Sequence, residues 1–599
     1  MTEIPKPEYP RPQMVRPDWL NLNGMWQFEI DQADTGLERG LLDRELTDEI
    51  LVPYAPESKA SGVENTDFLQ AVWYRREISF PDEWAGREVL LHFGAVDQDA
   101  TVWADGVELV RHRGGFSPFT ARLGDVGGTT VTIVIRARDL KDQLRAGGKQ
   151  ATWYGNTHCF YTRTTGIWQT VWAEPVAAVH VGRPRITPNV GGSFFDVELP
   201  LSSNAPEHTV TAVLWDGKDE IATASAATDL DKAANLRLVV PQDRVRLWEP
   251  GKGELYDITV TVADADGTVI DEVGTYAGLR SVTIDGRKFL VNGKPFFQRL
   301  VLDQGYWPDT LMTAPDEAAI IADIELSLAA GFNSARLHQK VFEERFLYHA
   351  DRLGYPVWGE FGDWGVSGQG TRGHNQAPQA SFVTEWLEVL ERDYSHPSII
   401  GWCPLNETHQ ELHDRITVLD DITRGMFLAT KAADRTRPVL DSSGYSHRVL
   451  ETEVWDSHLY EQDPARFAEL VGGLAAGTPY ENKGSEDATI SQPYAGQPYF
   501  VSEFGGIWWN PDAQQVSGND QAVSWGYGQR VQNEEEFHVR AEGLIKVLLD
   551  DPEMFGYCWT QLTDVFQEEN GVYRFDRSTK FDVDRFRAAQ QRPAAYEQS

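Results

Sequence analysis

The feature that most constrains the fold is a regular alternation of helix-length segments and short apolar runs after residue 286. The helix-length segment DEAAIIADIELSLAAG (316–331) precedes the short run FNSARL (332–337), and similar pairs follow to about residue 561. Strands that alternate with helices form a parallel sheet. We therefore predict that residues 286–599 form a (β/α)8 TIM barrel, a fold of about 250 residues plus insertions. The insertions are expected at 361–381 and 472–497.

The first half of the chain has a different pattern. Up to residue 177 it consists of short alternating runs such as VWYRREISF (72–80), separated by turn residues. This period of two is typical of antiparallel strands. Residues 178–285 repeat the pattern over a length typical of an immunoglobulin-like β-sandwich. Because 599 residues exceed what one hydrophobic core supports, we predict separate domains at 1–177, 178–285 and 286–599.

The charge balance excludes several classes of function. The chain has 91 Asp and Glu residues against 54 Lys and Arg, a formal net charge of −37. Such a surface repels nucleic-acid phosphates and anionic membranes, so neither is expected as a partner. The three cysteines show no zinc-like spacing, and no run of about 18 apolar residues is present. We expect a cytoplasmic protein that needs no metal and no cofactor.

Three of the predicted barrel strands end in a carboxylate: Glu360, Glu407 and Glu503. A single acid at a strand end is most often a solvated turn residue, but here an apolar run leads directly to each one. In a TIM barrel, the carboxyl ends of the strands form the active-site face. Two carboxylates there suit glycosidic-bond cleavage, since one protonates the leaving oxygen while the other attacks the anomeric carbon. The amide of Asn406 could hydrogen-bond the sugar 2-hydroxyl.

The segments that carry two of these acids resemble motifs of glycoside hydrolase family 2, which includes β-galactosidases, β-glucuronidases and β-mannosidases. RDYSHPSIIGWCPLNE (392–407) resembles the acid/base signature, and VSEFGG (501–506) resembles the nucleophile region. The resemblance covers nearly the whole chain and implies that residues 1–177 form a sugar-binding-like β jelly-roll. Other matching segments are LNLNGMWQFEID (20–31), VWYRREI (72–78), GIWQTVWAEP (166–175) and FLVNGKPFFQR (289–299).

The resemblance also implies roles for residues at the barrel mouth. Glu407 matches the acid/base and Glu503 the nucleophile of a retaining mechanism that passes through a glycosyl-enzyme. Tyr460 matches a tyrosine that hydrogen-bonds the nucleophile, and Arg336 matches an arginine beneath it. Trp559 matches a tryptophan at the floor of the sugar site. Further substrate-binding candidates are Asp303, His338 (one position earlier than the family histidine), Glu360, His458 and Trp508.

The pocket departs from the best-known relatives. Family β-glucuronidases carry an Asn-x-Lys pair whose lysine binds the substrate carboxylate, but residues 567–571 read Gln-Glu-Glu-Asn-Gly. Two acids there would repel a uronate, unless an arginine or lysine arrives from another loop. The metal site of the large β-galactosidases is not reproduced after the third strand, which leaves Glu360 and Asp363 as candidate hydroxyl ligands. Asp303 could accept hydrogen bonds from vicinal hydroxyls or cap a turn.

These departures favour an exo-acting enzyme that removes a terminal neutral pyranoside, with a β-galactoside as the first choice. The alternatives are an α-L-arabinopyranosidase, whose substrate shares the ring stereochemistry, and a β-glucuronidase. A non-catalytic carbohydrate-binding protein is the alternative from another class, since both sandwiches could be lectin-like. The intact motifs around Glu407 and Glu503 argue against it. The expected partner is a small-molecule or oligosaccharide substrate, and the relatives favour a homo-oligomer.

Overall fold

The computed structural model describes residues 4–598, apart from 142, 205, 229–232, 365–379 and 512–523. Most of the insertion predicted at 361–381 therefore lies outside the described residues. The apolar side chains form three large buried clusters, centred on the N-terminal strands, on the strands of residues 179–279 and on the C-terminal region. The third cluster also takes in a few side chains of the N-terminal region, such as Tyr161 and Trp168. The multidomain organisation expected from the sequence is confirmed in this respect.

The N-terminal region is a sandwich of antiparallel sheets. Its strands are β1 (Leu20–Asn21), β2 (Gly24–Ile30), β3 (Asp48–Val52), β4 (Ala71–Ser79), β5 (Glu88–Phe93), β6 (Val96–Asp97), β7 (Asp99–Ala104), β8 (Val107–Arg113), β9 (Phe119–Gly124), β10 (Thr130–Arg138), β11 (Gly166–Ile167) and β12 (Val171–Val176). One sheet has the order β3-β2-β4-β10-β7-β8 and the other the order β1-β12-β5-β9. Alternate residues, such as Trp26 and Phe28 on β2, point into the core between them.

The second region is a smaller antiparallel sandwich. Its strands are β13 (Arg185–Asn189), β14 (Phe194–Pro200), β15 (Thr209–Asp216), β16 (Asp219–Ala227), β17 (Ala233–Val239), β18 (Tyr256–Ala263) and β19 (Val269–Ala277). They form sheets with the orders β13-β14-β17 and β16-β15-β18-β19. Val210, Ala212 and Leu214 on β15 are buried at every second position, as the alternating pattern of the sequence predicts.

The C-terminal region is a parallel barrel. A small sheet of β20 (Val282–Asp285), β21 (Lys288–Val291) and β22 (Lys294–Pro295) leads into it. The strands that follow are β23 (Gln298–Asp303), β24 (Ser334–Leu337), β25 (Val357–Glu360), β26 (Ile399–Cys403), β27 (Asn406–Thr408), β28 (Ser443–Tyr445), β29 (Trp455–Leu459), β30 (Tyr499–Gly505) and β31 (Met554–Thr560). Seven of these strands form one sheet with the order β26-β25-β24-β23-β31-β30-β29, and β27 and β28 form a separate pair. The fifth position of the barrel is filled by residues 438–445, since Leu440 N donates to Trp402 O at 3.0 Å and β28 pairs with β27.

Helices separate the strands and cover the barrel. They are α1 (Glu317–Ala329), α2 (Glu344–Leu353), α3 (Ala380–Asp393), α4 (Val418–Ala433), α5 (Pro464–Val471), α6 (Glu534–Leu549) and α7 (Val583–Gln590). Asp316 caps α1 by accepting the N–H of Ala319 at 2.8 Å. The TIM barrel predicted from the sequence is confirmed. Within the described ranges, no helix is long and apolar enough to cross a lipid bilayer.

A segment of the N-terminal region, residues 145–165, lies on the face of the barrel where the strands end. Gly148 N donates to Gly362 O at 3.0 Å in the loop after β25. Gly148 has a φ of +59°, and a Cβ atom there would lie 2.0 Å from Gln339 O, so only glycine fits this contact. The N-terminal region therefore contributes side chains to the barrel mouth.

Candidate active site

Glu503 lies on β30 with a hydrogen-bond donor at each carboxylate oxygen. Arg336 Nη1 donates to Oε1 at 2.9 Å, and the hydroxyl of Tyr460 donates to Oε2 at 2.5 Å. The side chain is buried at the carboxyl end of the barrel. Charge-assisted donors of this kind fix the orientation of a carboxylate and stabilise its negative charge. The arrangement suits a nucleophile that attacks from a fixed position.

Arg336 joins three acceptors beneath the site. Besides Glu503, it donates through Nε to Glu360 Oε2 at 2.5 Å and through Nη2 to Asn406 Oδ1 at 2.6 Å. Burial alone would raise the pKa of Glu360, but the charges of Arg336 and His338 lower it to about 2. Glu360 therefore stays ionised and holds the guanidinium group in place.

Glu407 lies on β27, just beyond the end of β26. Its φ of +55° falls in the left-handed region, which residues other than glycine adopt at a cost and which is enriched at functional sites. One oxygen of Glu407, one oxygen of Glu503 and one ring nitrogen of His458 lie within 4.8 Å of one another. In retaining glycosidases the two carboxyl groups are about 5–5.5 Å apart. The separation fits a retaining rather than an inverting pair.

His458 lies between the two acids. Its Nδ1 is 2.7 Å from Glu407 Oε1 and 3.4 Å from Glu503 Oε2. Burial alone would lower the pKa of His458, but the charges of Glu503 and Glu407 raise it. Burial alone would raise the pKa of Glu407, but the hydrogen bond and charge of His458 lower it. In this arrangement the proton of the pair resides on His458.

The same three side chains have the spacing of metal ligands. A cation there would take an oxygen from both acids and a nitrogen from His458. Glu407 and His458 instead share a hydrogen bond, and Glu503 receives donors from Arg336 and Tyr460. These contacts suit proton transfer between Glu407 and His458.

The remaining candidates from the sequence occupy different positions. Asn406 is buried against Arg336, and its N–H donates to Asp363 Oδ1 at 3.1 Å. His338 Nδ1 lies 2.9 Å from Glu360 Oε1, which also accepts the N–H of Gln339. Both Glu360 oxygens are therefore used by protein groups. Trp508 is partly buried, and its Nε1 donates to Ser524 Oγ at 3.0 Å.

The structure corrects the expectation that Trp559 forms the floor of the sugar site. Its ring packs between strands and helices, with centroid distances of 5.2 Å to Phe504 and 5.1 Å to Phe586 on α7. Successive residues of a strand point to opposite faces. The next residue, Thr560, therefore faces the site, and its Oγ1 lies 3.0 Å from the Tyr460 hydroxyl.

Asp303 makes a hydrogen bond of the turn-capping kind. Its carboxylate accepts the N–H of Gly305 at 2.9 Å and therefore caps the turn after β23. Burial and the charge of Asp323, which belongs to α1, raise the pKa of Asp303 to about 7. The hydrogen bond to Gly305 is the one expected from the turn-capping alternative that the sequence left open.

Several residues near the two catalytic acids are not among the site residues predicted from the sequence. The ring of Tyr527 stacks on Tyr460 with centroids 3.3 Å apart and an interplanar angle of 2°. The hydroxyl of Tyr161 donates to Glu568, and Lys149 Nζ lies 3.8 Å from the centroid of the Trp364 ring. Tyr161 and Lys149 come from the N-terminal region. Strand and helix patterns carry no signal that brings this segment to the barrel.

Comparison with known proteins supports the same assignment. Two family models match the chain: "Glycosyl hydrolases family 2" over residues 179–280, and "Glycosyl hydrolases family 2, TIM barrel domain" over residues 282–494. Together they cover more than half of the 599 residues. The chain belongs to glycosyl hydrolase family 2. The resemblance and the glycosidase activity predicted from the sequence are thereby confirmed.

Curated relatives and a solved structure extend this comparison. The β-glucuronidase of Paenibacillus borealis is 27% identical over 429 residues, which cover 67% of this chain and 69% of that protein. The Homo sapiens β-glucuronidase is 24% identical over 476 residues, covering 73% and 71%. The crystal structure of Ruminococcus gnavus β-glucuronidase superposes with a TM-score of 0.77 at 19% identity, covering 98% and 100% of the two chains. That likeness shows a shared fold. The first-choice β-galactosidase assignment is not confirmed, and the β-glucuronidase alternative fits these relatives better.

Proposed function

We propose that this family 2 glycosidase is a retaining, exo-acting β-glucuronidase. The observation that carries the chemistry is the close pair of Glu407 and Glu503, with one oxygen of each within 4.8 Å. The choice of a glucuronide is supported by the relatives, which are named β-glucuronidases. The glucuronide replaces the β-galactoside that the sequence analysis favours. The similarity to β-glucuronidases along most of the chain is stronger evidence than the absence of the Asn-x-Lys pair.

In the first step, a Glu503 oxygen attacks the anomeric carbon while the leaving oxygen takes a proton from Glu407. The C–O bond to the leaving group breaks, and an ester bond to Glu503 forms. Arg336 and Tyr460 orient Glu503 for this attack. In the second step Glu407 takes a proton from water, which attacks the same carbon and releases the sugar with its original configuration.

His458 holds the proton that Glu407 later donates to the leaving group. The two side chains share a hydrogen bond of 2.7 Å, and the pKa shifts of both place the proton on His458 before the reaction. Groups coupled this closely titrate as a pair. Transfer of the proton along this hydrogen bond regenerates the acid form of Glu407 when the leaving group develops charge.

A panel of 4-nitrophenyl glycosides tests the proposal. The β-D-glucuronide should be hydrolysed with a kcat/KM at least about tenfold above those of the β-D-galactoside and the α-L-arabinopyranoside, a difference of about 1.4 kcal/mol in transition-state binding. A galactoside or arabinopyranoside that reacts faster would overturn the glucuronidase assignment. Sugar binding without turnover of any glycoside would instead favour a carbohydrate-binding protein.

A further inference from the structure

One lysine of the N-terminal region is held beside the catalytic acids. Only 6% of the surface of Lys149 is exposed, and its Nζ lies 3.8 Å from the centroid of the Trp364 ring. Trp364 is fixed in turn, since its Nε1 donates to Asn406 O at 3.1 Å. Because Asn406 directly precedes Glu407, this chain of contacts brings the ammonium group of Lys149 close to the acid/base residue, whose charge acts on it.

Lys149 has no carboxylate within 4.0 Å among the residues that the structure describes. Burial alone would lower the pKa of Lys149, but surrounding groups that include Cys159, Glu407 and Glu568 raise it, so the side chain remains a cation. A buried cation without an ion partner is strongly destabilising. The ring face of Trp364 compensates for only part of this cost.

Other buried lysines in this protein are satisfied by direct contacts. Lys6 and Lys580 donate to the carboxylates of Glu343 and Asp564, and Lys340 donates to the carbonyl of Met312 at 2.7 Å. Lys149 differs from them because, among the residues that the structure describes, its ammonium group has the Trp364 ring but no carboxylate or carbonyl acceptor. An anion that enters the pocket would give it the missing partner.

We propose that Lys149 binds the carboxylate of the terminal uronosyl group of the substrate. This assignment rests on the proposed function and names the residue that binds the carboxylate of the sugar. Residues 567–571 contain no basic side chain, so the barrel itself offers no lysine where family β-glucuronidases carry one. Lys149 supplies that charge from the N-terminal region.

The acids at 568 and 569 do not oppose this assignment. Glu568 accepts hydrogen bonds from the Tyr161 hydroxyl and from Asn570 Nδ2, the second at 3.0 Å. Glu569 accepts hydrogen bonds from Asn510 Nδ2, at 2.5 Å, and from Ser524 Oγ. Burial raises the pKa of Glu568, which weakens its repulsion of a uronate. Both carboxyl groups are therefore directed toward protein donors.

The test compares two substrates that differ only at the group that Lys149 would bind. The 4-nitrophenyl β-D-glucuronide carries a carboxylate, and the matching β-D-glucoside carries a neutral hydroxymethyl group on the same ring. Lys149→Met removes the charge and keeps the length of the side chain. We expect the glucuronide-to-glucoside ratio of kcat/KM to fall about 100-fold, mainly through a higher KM for the glucuronide. Binding of free D-glucuronate, measured by calorimetry, should weaken by a similar factor.

Two further variants distinguish charge recognition from a structural role. Lys149→Arg keeps a cation that stacks on Trp364, so it should retain part of the ratio. Lys141→Met removes a lysine that contacts the rings of Phe68 and Tyr154, and it should leave the ratio unchanged. Thermal unfolding of each variant is measured to check that the fold is retained.

The outcomes separate this inference from the proposed function. If the wild-type protein prefers the glucuronide but Lys149→Met lowers both activities equally, the lysine acts on the catalytic acids and the inference is wrong. If the wild-type protein prefers a neutral glycoside, the proposed function fails, and the inference fails with it.

Discussion

Replacement of Glu503 and replacement of Glu407 are expected to impair different steps of the reaction. Glu503→Gln removes the attacking carboxylate and leaves the neighbouring Arg336 and Tyr460 in place. We expect kcat to fall at least about 10⁴-fold with little change in the thermal unfolding midpoint. Glu407→Ala should spare the first step on a 4-nitrophenyl glycoside, whose leaving group needs little protonation, and slow the attack of water about 10²- to 10⁴-fold.

Azide separates these two roles. A small anion needs no general base, so azide should restore turnover of Glu407→Ala and yield the β-glycosyl azide. It should not restore Glu503→Gln, which forms no intermediate. Glu451→Gln, which replaces an exposed acid paired with Arg424 on α4, is the control that should behave like the wild-type protein. Absence of rescue in Glu407→Ala would count against its role as acid/base.

Single residues also show what the sequence could predict. Glu407, Glu503 and Arg336 stand at the ends of apolar runs within recognisable motifs, so their positions follow from the fold. The case of Trp559 is different, because the period of a strand says that neighbours face opposite sides but not which of them faces inward. Lys149 could not be found, since only the packing of one region on another brings it to the barrel.

The same contrast holds for the helices and strands. Helices with several buried residues on one face, such as α2 and α4, are predictable from their apolar spacing. The sequence pattern does not reveal α7, whose buried residues are Phe586 and Gln590. The fifth barrel position follows from the apolar run PVLDSS (438–443). The bounds of its short strand β28 do not, because residues 438–445 make few backbone hydrogen bonds to β26.

A buried histidine connects this fifth position to the next strand. His447 Nδ1 lies 2.9 Å from Asp441 Oδ1, and its Nε2 lies 3.2 Å from Asp456 Oδ1 on β29. Burial alone would lower the pKa of His447, but the two carboxylates raise it to about 10. The pKa in the unfolded chain is about 6.5. The stabilisation is therefore complete below about pH 6.5 and is lost as the pH rises toward 10.

We expect His447→Gln to lower the free energy of unfolding by about 3–5 kcal/mol at pH 6, because it leaves two buried carboxylates without their cation. The loss should be much smaller at pH 10, where His447 is largely neutral in the wild-type protein. Urea unfolding followed by tryptophan fluorescence at both pH values measures the difference. His208→Gln, at a partly exposed site in the second sandwich, should show the same small effect at both. An equal loss for His447→Gln at the two pH values would contradict a charged histidine.

At the scale of the whole molecule, the site belongs to two regions. The barrel supplies the acids, Arg336 and Tyr460, and the N-terminal region supplies Tyr161 and Lys149. The chemistry is therefore encoded in barrel motifs, which the sequence reveals. The sugar recognition that we propose for Lys149 depends on how the two regions pack, and a sequence pattern does not reveal that contact.

At Gly148, the addition of one methyl group is enough to disturb the packing of the N-terminal region on the barrel. A Cβ at residue 148 would lie 2.0 Å from the backbone oxygen of Gln339, and the φ of +59° adds strain. Gly148→Ala should therefore move the segment that carries Lys149 away from the barrel mouth and lower kcat/KM for the glucuronide about 100-fold. Gly155→Ala is the matched control, because a Cβ there meets no atom within 4 Å. Equal activities of the two variants would show that the N-terminal region does not position the substrate.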